Sequence, residues 1–166
     1  FNDHVSVVTE SGEIEAMTKD AMNRYRGELV KEFEALADKD EEVFAPLAKA
    51  YSIPKDQEGR DEILEGVLKD ASTAPYEVVV KANETAKILE RLAVIGSRLA
   101  ISDVGVAAAA CRAAACGASM NVYINTKSMA DKELADALNA KCDKMLAEYT
   151  VKADEIFDAV LARLKK

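Results

Sequence analysis

Three polar side chains lie along one line of the most alanine-rich stretch of this sequence. Asp103 and Asn121 are 18 residues apart. That spacing is about five turns of an α-helix at roughly 3.6 residues per turn, and Asn125 follows one turn later. Nearly every side chain from 104 to 119 is small, which favours helix and close helix packing. Buried polar groups need partners. We therefore expect these three side chains to point inward, towards other helices or a ligand.

Each of these residues has two possible roles. A carboxylate such as Asp103 can act as a general acid or base, or hold a polar ring nitrogen by a charge-assisted hydrogen bond. The alternative is that it only complements the positive end of the helix dipole. Asparagine is a poor helix former, so its presence inside a helix suggests that its amide forms a needed hydrogen bond. Asn121 and Asn125 therefore either bind a ligand or form hydrogen bonds between helices.

Cationic side chains lie at the predicted junctions between helices. Lys55, Arg98 and Lys127 occupy such positions, where they are usually only solvated. In an up-and-down bundle, alternate junctions meet at the same end. Some of these cations can therefore form a local basic patch that receives a small anionic substrate.

The composition indicates one soluble, all-α domain and excludes several classes of function. The net charge of −8 over 166 residues argues against binding to nucleic acid or an anionic membrane. We expect no membrane span, because Arg112 interrupts the longest apolar run. The three cysteines fall within helical patterns and favour the reducing cytoplasm. A single histidine, His4 near the start of the sequence, rules out an HExxH motif and the paired Glu-x-x-His motifs of a di-iron bundle, and its position argues against a Ser/His/Asp triad.

Hydrophobic periodicity predicts an up-and-down bundle of about five to six helices. The signals that separate them include Asp40 as a helix cap, Ser72 followed by Pro75 as a restart, and Ser102 as an N-cap. Phe44 and Tyr51 are predicted to face the core. Helices this long and rich in alanine often pair with a second copy, so we expect a homodimer or a higher symmetric oligomer. The predicted helices are 13–37, 41–51, 58–71, 75–95, 102–125 and 132–164.

Three motifs occur in order: Ala-Tyr-Ser-Ile-Pro-Lys at 50–55, Ile-Ser-Asp-Val-Gly-Val-Ala at 101–107 and Asn-Val-Tyr-Ile-Asn-Thr-Lys at 121–127. Together they resemble the cyclodeaminase/cyclohydrolase family of folate one-carbon enzymes, from about residue 17 to the C-terminus. The resemblance implies an all-α bundle that dimerises and binds a tetrahydrofolate substrate between helices, without a metal or other cofactor. By matching position it implies two groups of site residues. The catalytic ones are Asp103 and Lys55, and the substrate-binding ones are Ser102, Asn121, Asn125 and Lys127.

Two features depart from the family pattern. Family members usually carry an N-terminal helix and a glycine-rich segment, and nothing in residues 1–16 matches them. We therefore expect a single domain over residues 1–166 without this part of the site, which either precedes the sequence printed above or is truly absent. The link at 96–100, Gly-Ser-Arg-Leu-Ala, also differs from the family's Gly-Asn-type loop.

The resemblance implies hydrolysis of 5,10-methenyltetrahydrofolate to 10-formyltetrahydrofolate by a cytoplasmic enzyme. The alternative is a formiminotetrahydrofolate cyclodeaminase, which releases ammonia and gives 5,10-methenyltetrahydrofolate. A third possibility, from another class, is a non-catalytic helical bundle that serves as a binding or interaction module, because a fold does not by itself establish a function.

Overall fold

A computed structural model describes residues 4–8, 14–95 and 98–166. A two-stranded antiparallel hairpin precedes four long helices that run alternately up and down. The hairpin pairs His4 with Thr18 and Val8 with Ile14. The elements are β1 (His4–Val8), β2 (Ile14–Thr18), α1 (Lys19–Tyr51), α2 (Arg60–Ile95), α3 (Ile101–Ser128) and α4 (Lys132–Leu164).

Helix α2 is the centre of the bundle. Helices α1, α3 and α4 all pack against it, and α4 also packs against α3. Its inward face is small and apolar, with Leu68, Ala74, Ala82 and Ala86 fully buried. Among the described residues, α1 and α3 do not pack against each other. A groove therefore remains between α1 and α3, with α2 as its floor.

The all-α up-and-down bundle is confirmed, but with four helices instead of the five to six predicted. Helix α1 begins at Lys19, because residues 14–18 form a strand, and it continues through 38–40 to Tyr51. The predicted break there is wrong. Aspartate is only a weak helix former and does not stop a helix that packs along its length.

Helix α2 also continues through Pro75, where the sequence predicts a restart. Proline lacks the N–H that residue 75 would donate to the Ala71 carbonyl. That carbonyl instead accepts a hydrogen bond from Nδ2 of Asn125 on α3, at 3.0 Å. The Ser72 hydroxyl does not cap a new helix; it donates to the Leu68 carbonyl one turn back, at 2.8 Å. A partner from another helix thus removes the reason for a break.

The remaining helix ends follow local signals only in part. The side chain of Asp131 caps α4 by accepting from the Leu134 N–H at 3.0 Å, within the predicted break. Helix α3 has Ala100 as its N-cap, with no side-chain cap bond, so the prediction of Ser102 as the cap is wrong. Gly59 adopts φ 77° just before α2, a left-handed conformation that favours glycine. The predicted stop at Gly96 lies outside the described residues.

Among the described residues, α3 alone is long and apolar enough to cross a membrane by length and composition. The prediction that no apolar run reaches this length, because Arg112 interrupts it, is wrong for this helix. Such a helix is weak evidence of a span, since core helices of soluble proteins have the same length and composition. Helix α3 packs against α2 and α4 in the bundle.

The Asn125–Ala71 bond yields a first prediction. Asn125→Ala should lower the free energy of unfolding by about 1–3 kcal/mol, because it leaves a buried carbonyl unpaired. In a Pro75→Ala background the loss should shrink to about 1 kcal/mol or less, since the new N–H can bond the same carbonyl. Urea denaturation of the four proteins in this double-mutant cycle measures the coupling.

The matched control is Asn121→Ala, which removes an exposed amide from the same helix and should change stability by less than about 0.5 kcal/mol. Equal losses from Asn125→Ala in both backgrounds would contradict the assigned role of this amide.

Candidate functional site

The groove between α1 and α3, here called the α1–α3 groove, is a concave surface that combines polar and aromatic side chains. It consists of two adjoining cavities of about 420 Å³ and 220 Å³. Together they fall within the size range of small-molecule sites, roughly 300–1,000 Å³. Asp40 and Asn121 line both cavities. The lining of the larger cavity includes Asp40, Phe44 and Tyr51 from α1, Ala71 from α2, and Asn121 and Asn125 from α3.

The groove is mostly apolar, with a few polar groups that face one another across it. Phe44 is 67% exposed and Tyr51 is 49% exposed, so the prediction that both face the core is wrong. They line the groove instead and offer aromatic faces to a ligand ring. The carboxylate of Asp40 and the amide of Asn121 supply hydrogen bonds from opposite walls. This combination suits a flat heterocycle that carries donors and acceptors on its edges.

The two asparagines differ in the exposure of their side chains and in whether the amide forms a hydrogen bond within the protein. Asn121 is exposed and presents its amide to both cavities. Asn125 is 8% exposed, and its Nδ2 is taken up by the Ala71 carbonyl. Its Oδ1 and the second hydrogen of its Nδ2 remain available to a ligand. The alternative of a hydrogen bond between helices therefore describes Asn125, whereas Asn121 has no such bond in the described structure.

Lys55 and Lys127 lie at the same end of the bundle. Lys55 is in the α1–α2 loop and Lys127 is in the last turn of α3, and both are exposed. Two hydrogen bonds hold the α1–α2 loop and the α3–α4 loop against the start of α2. The Nε of Arg60 donates to the Ile53 carbonyl at 3.1 Å. The carboxylate of Glu65 accepts from the Ala130 N–H at 2.6 Å, in the α3–α4 loop. Two of the three predicted cations thus share this end, whereas Arg98, in the α2–α3 connection, lies at the other end.

The structure places Asp103 and Ser102 at the opposite end. The 18 residues between Asp103 and Asn121 correspond to about 27 Å along a helix that rises 1.5 Å per residue. One small reacting centre therefore cannot contact both within a single chain. Asp103 and Asn121 are exposed, so the expectation that they point inward is wrong. Asp103 lies in the first turn of α3, where an acid favours the helix dipole.

Sequence reasoning missed Asp40 as a site residue, because it assigned this aspartate to a helix cap. A signal was nevertheless present. Asp40, Phe44, Leu47 and Tyr51 recur at intervals of four, three and four residues, which places them on one helix face. A stripe that begins with an acid and contains two aromatics is unusual for a core face. No group of three His, Cys, Asp or Glu residues that could hold a metal ion occurs in the described ranges.

A charged cluster of Glu65, Lys69 and Asp131 holds the end of α3 in place. The Lys69 ammonium lies 3.5 Å from Glu65 and 3.2 Å from Asp131. The hydrogen bond from the Ala130 N–H is the main cause that lowers the pKa of Glu65, with Lys69 adding to it. The bond from the Leu134 N–H is likewise the main cause that lowers the pKa of Asp131. The cluster fixes the loop that follows Lys127.

Comparison with known proteins identifies the family. A model of the family described as formiminotransferase-cyclodeaminase matches residues 6–144. The chain belongs to this family. The resemblance stated from the three sequence motifs is therefore confirmed.

Individual relatives show how far the match extends. The chain is 28% identical over 156 residues to a methenyltetrahydrofolate cyclohydrolase of Methylorubrum extorquens, covering 92% of this chain and 74% of that protein. It is 29% identical over 133 residues to the formimidoyltransferase-cyclodeaminase of Mus musculus, of which it spans only 25%. The crystal structure of formiminotetrahydrofolate cyclodeaminase from Thermotoga maritima is similar, with a TM-score of 0.68 and 28% identity, covering 88% of this chain and 69% of that one.

The charged cluster yields a second prediction, on the pH dependence of stability. Because the folded pKa of Glu65 lies below its ordinary value of 4.5, its stabilisation is present above that value. It is lost as the pH falls through the folded pKa. The stability difference between wild type and Glu65→Gln should therefore stay constant near neutral pH and shrink below pH 4.5. Urea denaturation across this range measures it.

Glu62→Gln is the matched control, since this exposed acid in the first turn of α2 lacks the contacts to the α3–α4 loop. A difference between wild type and Glu65→Gln that grows on acidification would contradict the assigned role of Glu65.

Proposed function

We propose that this protein is a cytoplasmic folate enzyme that hydrolyses 5,10-methenyltetrahydrofolate to 10-formyltetrahydrofolate. The observation that carries the proposal is the match to a methenyltetrahydrofolate cyclohydrolase over 74% of that protein's length. The α1–α3 groove supports it, because its volume and mixed polar and aromatic lining suit a pterin. The three free cysteines fit the reducing cytoplasm.

The reaction needs proton transfer and charge stabilisation. Water adds to the electrophilic carbon that bridges N5 and N10, and the adduct gives up the two protons of that water. The bond from this carbon to N5 then breaks as N5 takes up one proton. The formyl group remains on N10, and one proton is released overall. A positioned general acid or base typically contributes about 10²–10⁴-fold to such a step.

The groove end, meaning the end of the bundle that carries the α1–α3 groove, Lys55 and Lys127, has residues suited to holding the substrate. Asn121 and the free Oδ1 of Asn125 face the groove and can bind the edges of the folate rings. Lys55 and Lys127 carry the charges that attract the carboxylates of the folate tail. Lys55 is also the predicted catalytic lysine, which can stabilise negative charge that develops on the attacking water. Asp103, the predicted acid or base, is not part of this group within one chain, because it lies about 27 Å from Asn121 along α3.

A homodimer resolves the position of Asp103. Helix α3 exposes an apolar stripe between its two ends, on which Val106 and Met120 are each 67% exposed and Ile124 is 60% exposed. Two copies that pack these stripes in antiparallel fashion around a two-fold axis bury them against each other. The same symmetry brings Asp103 of one copy towards the groove end of the other. The stripe consists of Val106, Ala110, Ala113, Gly117, Met120 and Ile124.

The second candidate is cyclodeamination of formiminotetrahydrofolate. It is favoured by the likeness to the Thermotoga maritima cyclodeaminase and to the mouse formimidoyltransferase-cyclodeaminase. In that reaction N10 attacks the formimino carbon on N5, and the formimino nitrogen leaves as ammonia. Both reactions pass through a tetrahedral carbon between two nitrogens and make the same demands on the groove.

A spectroscopic assay distinguishes the two reactions. With the purified protein, the near-ultraviolet absorption of methenyltetrahydrofolate should decay faster than in buffer alone if the protein is a cyclohydrolase. Growth of the same band from formiminotetrahydrofolate would instead establish a cyclodeaminase. If neither absorbance change occurs, the proposal of a folate enzyme is overturned and a binding module is favoured.

Variants of Asp103 test its role and the shared site together. Asp103→Asn should reduce turnover at least about tenfold while the protein still folds, because the amide cannot transfer the proton. Asn121→Ala should also reduce turnover. Refolding a mixture of the two variants should restore part of the activity, since a mixed dimer contains one site with both native residues. Each variant refolded alone is the control.

Two results would contradict these roles. Unchanged turnover in Asp103→Asn would remove this carboxylate from the mechanism. A mixture of the two variants no more active than either alone would overturn the shared site.

A further inference from the structure

We propose that Asp40 recognises the pterin ring of the folate substrate by accepting hydrogen bonds from its 2-amino group and N3–H. This inference rests on the proposed function and adds a specificity-determining residue to it. Neither the three motifs nor the predicted site residues include Asp40. It is the one carboxylate that lines both cavities of the α1–α3 groove in the described structure.

The position of Asp40 fits a ligand contact better than a structural role. It lies in the middle of α1, where aspartate is an unfavourable helix former. The helix runs through it, so it caps nothing. Its neighbour Lys39 pairs with Glu77 on α2 at 3.5 Å, whereas Asp40 has no ion pair or hydrogen bond within the described residues. The fold therefore gains nothing visible from this carboxylate.

The chemistry of the groove walls matches the edge of a pterin. The 2-amino group and N3–H are adjacent donors on one side of the ring, and a carboxylate offers two oxygens that accept from both. The neighbouring ring oxygen is an acceptor, and the Nδ2 of Asn121 on the opposite wall is a donor. Phe44 lies one turn beyond Asp40 on α1 and lines the first cavity. It offers a face against which the ring can stack.

This placement also gives the substrate a direction. From Asp40, the groove follows α1 towards Tyr51, 11 residues later, which is about 16 Å at 1.5 Å per residue. Beyond Tyr51 lies the loop that carries Lys55. A folate with its pterin at Asp40 thus extends its negatively charged tail towards the lysines, where the carboxylates are attracted and not repelled.

The first test compares Asp40→Asn with Asp38→Asn. Both replace an exposed acid of α1 by its amide, but only Asp40 lines the groove. Binding of tetrahydrofolate, measured by isothermal titration calorimetry, should weaken about tenfold to a hundredfold in Asp40→Asn, because a hydrogen bond to a charged group is lost. It should not change in Asp38→Asn. The KM for the active substrate should rise with little change in kcat, as expected when uniform binding is removed.

The second test changes the ligand and not the protein. A tetrahydrofolate analogue without the 2-amino group should bind the wild type about tenfold more weakly than tetrahydrofolate, since the carboxylate loses one of its donors. Asp40→Asn should discriminate much less between the two ligands. This comparison on the wild type stands even if the variant is poorly folded.

Three results would overturn the role of Asp40. These are unchanged binding in Asp40→Asn, a loss of kcat at constant KM, and equal discrimination against the analogue by wild type and variant. The proposed function fails separately, if the wild type neither converts a folate nor binds tetrahydrofolate. Activity of the wild type together with a neutral Asp40→Asn would contradict this inference alone.

Discussion

The hydrogen bond from Asn125 to the Ala71 carbonyl is the interaction on which the arrangement of this bundle depends. Pro75 removes the donor that this carbonyl would otherwise meet, and an unpaired buried carbonyl is costly. With the amide in place, α2 runs as one helix from Arg60 to Ile95. Helices α1 and α3 can therefore lie on the same uninterrupted surface, with a groove left between them. The bond also ties α3 to α2 beside that groove, so it sets the position of Asn121 one turn earlier.

The predicted site residues on α3 fall into two groups according to their distance from the Asn125–Ala71 hydrogen bond. Asn121, Asn125 and Lys127 belong to the end of α3 that the bond holds against α2, whereas Asp103 belongs to the other end. An overall charge of −8 does not prevent the groove end from attracting an anion. What matters at short range is the local charge, because exposed charges more than about 10 Å away are largely screened at moderate salt. The effect of the two exposed lysines near the groove on an anionic ligand therefore depends on the charges within that distance and not on the overall charge.

Hydrophobic periodicity predicted the helical class, the up-and-down order and helix α4 almost in full, because those features are written in local spacing. Hydrophobic periodicity did not predict that the two helices expected within residues 13–51 form one helix, α1, or that the two expected within 58–95 form α2. Residues such as Asp40 and Ser72 have the same local preferences in a cap and within a helix. For Ser72, the partner of the Ala71 carbonyl, 54 residues away along the chain, decides between the two. For Asp40, the packing of α1 against α2 decides. Helical phase likewise placed Asp103 and Asn121 on one side of α3, but burial depends on which helices cover that side. Because α2 is the only helix that α1 packs against among the described residues, this side of α3 stays open, and Phe44 and Tyr51 are exposed with it.

The open side of α3 links assembly to the groove. Ile124 lies in the exposed apolar stripe and also in the wall of the larger cavity. Any surface that covers the stripe therefore also closes the groove along α3 and excludes water from it. Hydrogen bonds and charge interactions are stronger where water is excluded, since the local dielectric constant is lower. A second copy packed on the stripe, as in the proposed homodimer, would close the groove in this way. The contacts of Asn121 with a ligand in the groove would then be stronger in the dimer than in a single chain.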